Sequence, residues 1–157
     1  MSTESIGIVK AIAIKTAEGG PMREVAEATA IENATLDGSA PSSVERGVTF
    51  ISLPQWREVQ RELSGQMPWH TRRANVLIDA DRLGPLIGAT IQVGEARFEI
   101  SGETRPCGLM DKAQSGLRKA LATDCRGGVF GRVTRGGAIR VGDTVVVIAK
   151  TNEPTSG

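Results

Sequence analysis

Aromatic residues are scarce in this 157-residue sequence: they make up 3% of it, and tyrosine is absent. Proteins that bind single-stranded nucleic acid stack the bases on exposed aromatic rings, so this composition argues against that function. Neither sign of charge dominates, because the net charge is +1 at pH 7. A nearly neutral chain has no overall field that attracts nucleic acid or an anionic membrane surface. We therefore expect neither as a partner.

Long apolar runs are also missing. None approaches the roughly 20 residues needed to cross a bilayer. The polar start, Met1–Ser5, lacks the basic and apolar regions of a signal peptide. The two cysteines, Cys107 and Cys125, form no CxxC motif, which argues against a structural zinc site and a disulfide scaffold. Together these absences predict a soluble, cytoplasmic protein.

Short apolar runs separated by glycine-containing turns are abundant. Isoleucines at 6, 8, 12 and 14 predict a long, half-buried first strand. Further strands are predicted over 47–53, 74–79, 90–93 and 96–100, whereas 22–32 fits either a helix or a strand. Apolar spacing predicts a short helix from Pro54 to Gly65 and a helical segment from 109 to 121. This pattern is typical of a mainly β, closed β-barrel with two or three short helices.

The predicted barrel occupies most of the chain. Its length fits a single domain, which we place at residues 6–149, between a flexible N-terminus (1–5) and a flexible C-terminal tail (150–157). Residues 88–100 and 136–148 resemble each other, since both contain Ile-x-Val-Gly followed by an acidic residue and then a predicted strand. Each copy predicts a β-hairpin with glycine at the turn.

One thiol lies where the predicted strand 96–100 gives way to the helical segment. Pro106 ends strand pairing, Cys107 follows it, and Gly108 permits a sharp turn into the helix. The charge of Arg105 and the helix N-terminus would lower the pKa of the thiol and favour the nucleophilic thiolate. The alternative is a buried, inert cysteine.

The residues around Cys107 carry a family resemblance. The sequence ETRPCGLM at 103–110 resembles part of a MOSC domain, the C-terminal domain of molybdenum cofactor sulfurases. Further matching segments lie downstream at 116–121, 126–128 and 137–143, and upstream at 72–75 and 86–94. The resemblance covers roughly 6–149 and implies a stand-alone member with a β-barrel fold. It implies that Cys107 carries sulfur as a persulfide or ligates molybdenum, two roles that suit a thiolate.

The same resemblance suggests how the molybdenum cofactor, molybdopterin, would be held. Its phosphate would bind a pocket of arginines, since guanidinium groups match phosphate oxygens; the candidates are Arg72, Arg73, Arg105 and Arg126. Asn75 would hydrogen-bond the pterin, or else local backbone. Glu103 would act as an acid or base, or pair with Arg105. Alternatively, the arginines are solvated surface residues.

Three further residues carry weaker hypotheses. Cys125 is either a resolving thiol or structural, and His70 is either a proton shuttle or a surface residue beside Trp69. Many MOSC proteins carry an acidic-basic-His element in the loop before the second conserved strand. Residues 36–41 of this chain have Asp37 but no histidine, so a mechanism that depends on that histidine is in doubt.

The resemblance implies a molybdenum cofactor-binding protein that acts in sulfur transfer or in the reduction of N-hydroxylated compounds. The sequence has no flavin or iron–sulfur motif, so reduction requires a reductase partner; sulfur transfer requires a cysteine desulfurase or a molybdoenzyme. The pyridoxal phosphate domain of the fused sulfurases is absent from the sequence. Two alternatives are a non-catalytic carrier of cofactor or sulfur and a thiol redox protein that uses both cysteines.

Overall fold

The computed structural model describes residues 4–17, 20–40, 46–105 and 109–150. These ranges contain ten strands, three α-helices and three short 3-10 turns. The strands are β1 (Glu4–Lys15), β2 (Met22–Val25), β3 (Glu27–Ala30), β4 (Val48–Ser52), β5 (Val76–Asp79), β6 (Ala89–Val93), β7 (Ala96–Glu103), β8 (Val129–Arg135), β9 (Gly137–Arg140) and β10 (Thr144–Lys150). The helices are α1 (Leu53–Glu62), α2 (Leu109–Ala113) and α3 (Leu117–Ala122), and the 3-10 turns are Trp69–Arg72, Gly84–Leu86 and Thr123–Cys125.

Seven strands close into a barrel. Their order is β10-β6-β7-β8-β4-β5-β1, and β1 pairs back with β10. All neighbours are antiparallel except β4 and β5, which run parallel. β2 extends the sheet beyond β1, and β3 and β9 form a separate two-stranded ribbon. The predicted mainly β, closed barrel with two or three short helices is therefore confirmed.

The barrel interior is filled by alternate residues of its strands. In β6 and β7 the inward positions are Ala89, Ile91, Val93, Ala96, Phe98 and Ile100, each at most 1% exposed. The rings of Phe50 and Phe98 meet edge to face with centroids 5.1 Å apart. Period-two alternation therefore identified these strands correctly because one face is buried and the other is not.

Helices cover the outside of β4 and β5. Ile51 and Leu77 point away from the barrel into a second apolar cluster with Trp56, Val59 and Leu117. All five residues of β4 are buried, which explains its continuous apolar run. Ser52 caps the N-terminus of helix α1, because its hydroxyl accepts a hydrogen bond from the Gln55 amide (3.1 Å).

Three local expectations change in the structure. Residues 22–30 form two strands, which settles the ambiguity of that segment. The helical segment is two helices, because Gly116 has a left-handed conformation (φ 84°). The second predicted hairpin is wrong: Gly142 is at a turn, but β9 pairs with β3, whereas β10 pairs with β6 and β1.

The longest helix in the described part of the chain, α1, has ten residues. No described helix is both long enough and apolar enough to span a membrane.

Candidate functional site

A pocket of about 250 Å³ lies where the end of β1 meets the turn before β5. Four cationic side chains line it, together with a hydroxyl pair and two apolar residues: Lys15, Arg46, Arg72, Arg73, Thr49, Thr104, Ala74 and Met110. No aspartate or glutamate is among the described lining residues. We call this cavity the basic pocket. Its charge suits an anion.

Arg72 and Arg73 reach the pocket from a reversal of the chain. The 3-10 turn Trp69–Arg72 is followed by Arg73 in the left-handed conformation (φ 65°). Nη1 of Arg73 donates to the carbonyl of Gly20 at 2.6 Å. This reversal points two consecutive guanidinium groups to different partners around one cavity.

Arg72 holds together the two chain segments that border the pocket. It is buried, and its Nε donates to the carbonyl of Gly127 (3.1 Å) while Nη2 donates to the carbonyl of Thr104 (3.0 Å). A Cβ at Gly127 would lie 2.7 Å from the Thr104 carbonyl oxygen, so this approach requires glycine. Since Thr104 lies three residues before Cys107, Arg72 anchors the chain that leads to the thiol.

Lys15 is held in an unfavourable environment for a cation. Burial lowers its pKa below the ordinary value of 10.5, and the nearby charges of Arg73, Arg46 and Arg72 lower it further. Both causes penalise the protonated amine. A bound anion would offset both, because it would neutralise part of the clustered charge.

The hydroxyl of Thr104 has unused hydrogen-bonding capacity in the basic pocket. The residue is 3% exposed, and among the described residues its Oγ1 has no hydrogen-bond partner. Its backbone amide is satisfied by the carbonyl of Gly128 at 2.8 Å. A buried hydroxyl without a partner costs free energy, so this group points to a polar ligand.

Asn75 is engaged with the barrel backbone. It is 3% exposed; its Oδ1 accepts from the amide (3.1 Å) and the hydroxyl (3.2 Å) of Thr49, and its Nδ2 donates to the carbonyl of Ala13 (3.2 Å). These bonds tie β5 to β4 and β1. They match the alternative of a structural amide and fix Thr49 at the wall of the basic pocket.

Glu103 and Arg105 lie in a different cavity. This cleft of about 460 Å³ is lined by Glu103, Arg105, Asp111, Arg118, Lys119 and Ala122. It carries both signs of charge, unlike the basic pocket. We call it the mixed-charge cleft.

Arg126 binds helix α1 instead of lining either cavity. Its Nη1 and Nη2 donate to Glu62 at 2.9 and 2.7 Å, and its Nε lies 3.0 Å from Oε1 of Glu58. The hydrogen bond from Arg126 lowers the pKa of Glu62. The structure thus distributes the predicted arginines over three places, and of these only Arg72 and Arg73 share the basic pocket.

Cys107 lies outside the described residues, as do Pro106 and Gly108, so its low pKa and its reactivity stay predictions. The described residues on either side of it are informative. Thr104 and Met110 line the basic pocket, and Arg105 and Asp111 line the mixed-charge cleft. The described residues before and after Cys107 therefore line both cavities.

The weaker candidates have ordinary surroundings. Burial raises the pKa of the Cys125 thiol, and the charge of Glu103 raises it further, which disfavours the thiolate. His70 places Nε2 3.8 Å from Oε2 of Glu24, and its ring meets that of Trp69 edge to face. Asp37 is exposed on the loop after β3.

Sequence reasoning missed Lys15, Arg46 and Thr104 as site residues. Lys15 ends a strand, Arg46 closes a long loop, and Thr104 is inside the resemblance but was not singled out. The packing of β1 against β5 brings Lys15 towards the pocket, and the clamp of Arg72 on Thr104 holds Thr104 there. Of the three, only Thr104 has a signal in the sequence, because it lies three residues before Cys107.

Comparisons with known proteins give a family and a fold. A family model described as "MOSC domain" matches residues 28–146. The structure of YuaD from Bacillus subtilis is similar with a TM-score of 0.77 at 16% identity, covering 94% of this chain and 98% of that one. The structure of YiiM from Escherichia coli has a TM-score of 0.71 at 15% identity, covering 91% of this chain and 70% of that one. The structure of YiiM from Geobacillus stearothermophilus has a TM-score of 0.67 at 16% identity, covering 94% of this chain and 75% of that one. The sequence matches none of the curated proteins with which it was compared.

Proposed function

This chain belongs to the MOSC domain family, and from that premise we propose that it binds a molybdenum–pterin cofactor, with the cofactor phosphate in the basic pocket and Cys107 as the reactive thiol. The family is known for binding this cofactor. The observation that carries the proposal is the basic pocket itself: it has four cations, no described carboxylate, and a Thr104 hydroxyl that has no partner among the described residues and lies beside the segment that leads to Cys107.

The residues of the pocket fit a phosphate. Lys15 and Arg73 supply positive charge and N–H donors, and Thr104 supplies an O–H donor that no described residue uses. Phosphate accepts several hydrogen bonds at once and prefers planar guanidinium donors. A volume of about 250 Å³ accommodates a phosphate group with its linking atoms, which limits this pocket to one end of the cofactor.

The proposed chemistry places Cys107 next to the cofactor. When bound, the cofactor supplies a molybdenum centre for oxygen-atom or sulfur chemistry. The thiolate of Cys107 would act as a soft ligand or as a sulfur acceptor. We propose that the chain acts in sulfur transfer, or in the reduction of N-hydroxylated compounds together with a separate electron-donating protein; a cysteine desulfurase or a molybdoenzyme would be its partner in sulfur transfer.

The test is cofactor content after expression in a host that makes molybdenum cofactor. Molybdenum is measured by mass spectrometry and pterin by the fluorescence of its oxidised form. We expect the double variant Lys15→Met/Arg73→Met to lose pterin and molybdenum together. Cys107→Ser should keep pterin and lower the ratio of molybdenum to pterin, since only the thiolate is removed. Arg135→Met, at an exposed position of β8, is the matched control.

Three outcomes decide the proposal. A wild-type protein that holds neither pterin nor molybdenum would exclude cofactor binding, and equal loading of wild type and Lys15→Met/Arg73→Met would exclude the basic pocket as the phosphate site. The third outcome is a protein that binds the cofactor but neither reduces an N-hydroxylated amidine with an electron donor nor passes sulfur to an acceptor. Such a protein would be a carrier.

A further inference from the structure

A second, chemically different groove lies beside helix α1. It encloses about 490 Å³, within the range of small-molecule sites. Its described lining is mostly apolar, with two amides and two cations: Leu53, Trp56, Met67, Trp69, Leu77, Gly65, Gln60, Gln66, Arg57 and Arg61. We call this cavity the α1 groove. It shares no described lining residue with the basic pocket.

The floor of the α1 groove is held by hydrogen bonds. The indole N–H of Trp56 donates to the carbonyl of Met67 (3.1 Å), and that of Trp69 donates to Oε2 of Glu24 (3.0 Å). Oε1 of Gln60 accepts from the amide of Met67 at 2.9 Å. Both indoles are less than a tenth exposed. These bonds fix the walls before any ligand arrives, which lowers the entropic cost of binding.

The rim of the groove carries two cations, Arg57 and Arg61, that are in no ion pair with a described residue. Arg57 and Arg61 are four residues apart on α1, so both guanidinium groups lie on one face of the helix. The neighbouring carboxylates, Glu58 and Glu62, are engaged by Arg126 on another side of the helix. Within the described part of the chain, the guanidinium groups of Arg57 and Arg61 form no hydrogen bond or ion pair, although the charge of Arg61 contributes to lowering the pKa of Glu62. Like charges at this spacing repel, and an anion between them would remove that repulsion.

We propose that the α1 groove binds an organic carboxylate with an extended apolar body. The carboxylate would accept hydrogen bonds from Arg57 and Arg61, and the hydrocarbon part would lie against Trp56, Met67 and Leu77. The apolar walls alone would accept neutral molecules. The paired guanidinium groups select an anion, and their planar donors suit a carboxylate.

Intrinsic fluorescence reports on this groove directly. Trp56 and Trp69 are the only tryptophans in the sequence, which has no tyrosine. We would titrate the purified full chain with decanoate, which is transparent at the wavelengths used, and with decylamine, which has the same chain length and a cationic head. We expect a saturable change of tryptophan emission with decanoate and none with decylamine.

Substitutions then locate the head group. Each of Arg57→Ala and Arg61→Ala should weaken decanoate binding about tenfold, because each removes one charge-assisted hydrogen-bonding partner. Arg57→Lys/Arg61→Lys should bind with intermediate affinity, since charge is kept and the planar donors are lost. Arg135→Ala and Lys15→Met should bind as wild type does. Circular dichroism melts verify that each variant is folded.

Several results would overturn the proposal. These are no saturable response to decanoate, equal affinity for decylamine, unchanged affinity in both alanine variants, or loss of binding in Lys15→Met, which would place the anion in the basic pocket. The ligand comparison on wild-type protein stands even if an alanine variant fails to fold. Because the two cavities share no described residue, the cofactor proposal can fail while this one holds.

Discussion

Among single residues, Lys15 and Thr104 give the basic pocket a half-buried cation and a hydroxyl donor. Lys15 is a cation among three others, and its pKa is lowered by burial and by Arg73, Arg46 and Arg72. Because its folded pKa is below the unfolded value, the protonated amine opposes folding. The free energy of unfolding therefore rises as the pH increases from the folded pKa of Lys15 towards 10.5, because the amine loses its proton.

Substitution of Lys15 should separate folding from anion binding. In phosphate-free buffer near pH 7, we expect Lys15→Met to be as stable as wild type or more stable, by on the order of 0.5 kcal/mol, since charge repulsion is removed. Added phosphate should raise the melting temperature of wild type and leave that of the variant unchanged. Thermal melts with phosphate and with chloride at matched ionic strength measure both effects. A variant that phosphate stabilises as strongly as wild type would contradict the role of Lys15.

The thiol of Cys107 is tested by its alkylation rate as a function of pH. We expect an apparent pKa clearly below the free-cysteine value of about 8.5, and a higher pKa in Arg105→Ala, because the neighbouring positive charge is lost. Cys125→Ser is the background for both measurements, so that Cys107 is the only thiol left. An ordinary or raised pKa would rule out an activated nucleophile at this position.

At the scale of elements, two similar sequences form different structures. Gly94 and Gly142 both follow Ile-x-Val, precede an acidic residue and have a positive φ (57° and 99°). Gly94 turns the β6–β7 hairpin, and a Cβ there would collide with the Asp143 carboxylate and with the backbone carbonyl of Ala138. A Cβ at Gly142 would meet nothing within 4 Å. Both glycines have the turn conformation that their shared motif predicts, but only Gly94 is closely packed against other atoms.

This difference predicts unequal costs of the same substitution. Gly142→Ala should lower the free energy of unfolding by about 1–2 kcal/mol, because an L-residue is strained at this φ. Gly94→Ala should cost at least about 1 kcal/mol more, because the methyl group also meets Asp143 and the backbone carbonyl of Ala138. Urea unfolding of both variants gives the comparison. Equal costs would show that both Asp143 and the Ala138 carbonyl move away without cost.

The contact of Arg126 with α1 should depend on pH. The pKa of Glu62 is lowered by the hydrogen bond from Arg126, so this pair stabilises the fold above the unfolded carboxyl pKa of 4.5 and is lost as the pH falls through the lower, folded value. We expect Glu62→Gln to be less stable than wild type at pH 7, with the difference vanishing in acid. Arg57→Gln, on the same helix but without an ion pair to a described residue, is the control. A difference that does not change with pH would argue against the ion pair.

On the scale of the whole molecule, β10 decides whether the barrel closes. It pairs with β6 on one side and with β1 on the other, so the last described strand joins the first. Val145 and Val147 point into the core, and Val146 points outward. Without β10, two strands would become open edges.

Two isosteric substitutions test this orientation. Val145→Thr buries a hydroxyl in the apolar core and should lower the free energy of unfolding by about 1–3 kcal/mol. Val146→Thr places the same group on the outer face and should change stability by less than about 0.5 kcal/mol. Chemical denaturation measures both. The reverse order would mean that β10 has the opposite face inward.

The sequence by itself determined several of the strands and helices, and the family. Alternating apolar residues identified β1, β6 and β7, because one face of each strand is buried against the barrel. The spacing of Trp56 and Val59 after Pro54 identified α1. Residues 103–110 and their flanking motifs identified the MOSC resemblance, since such motifs are contiguous in the chain and need no tertiary contact to be read.

Only the tertiary structure decided which charges share a cavity. Arg72 or Arg73 was predicted to bind one anion together with Arg105 and Arg126. In the structure Arg126 pairs with Glu58 and Glu62, Arg105 lines another cleft, and Lys15 joins Arg72 and Arg73. A guanidinium group binds whichever carboxylate or carbonyl the fold brings within hydrogen-bonding distance. That choice depends on contacts between residues far apart in sequence, such as Arg72 with Gly127 or Arg126 with Glu62, and no local pattern encodes it.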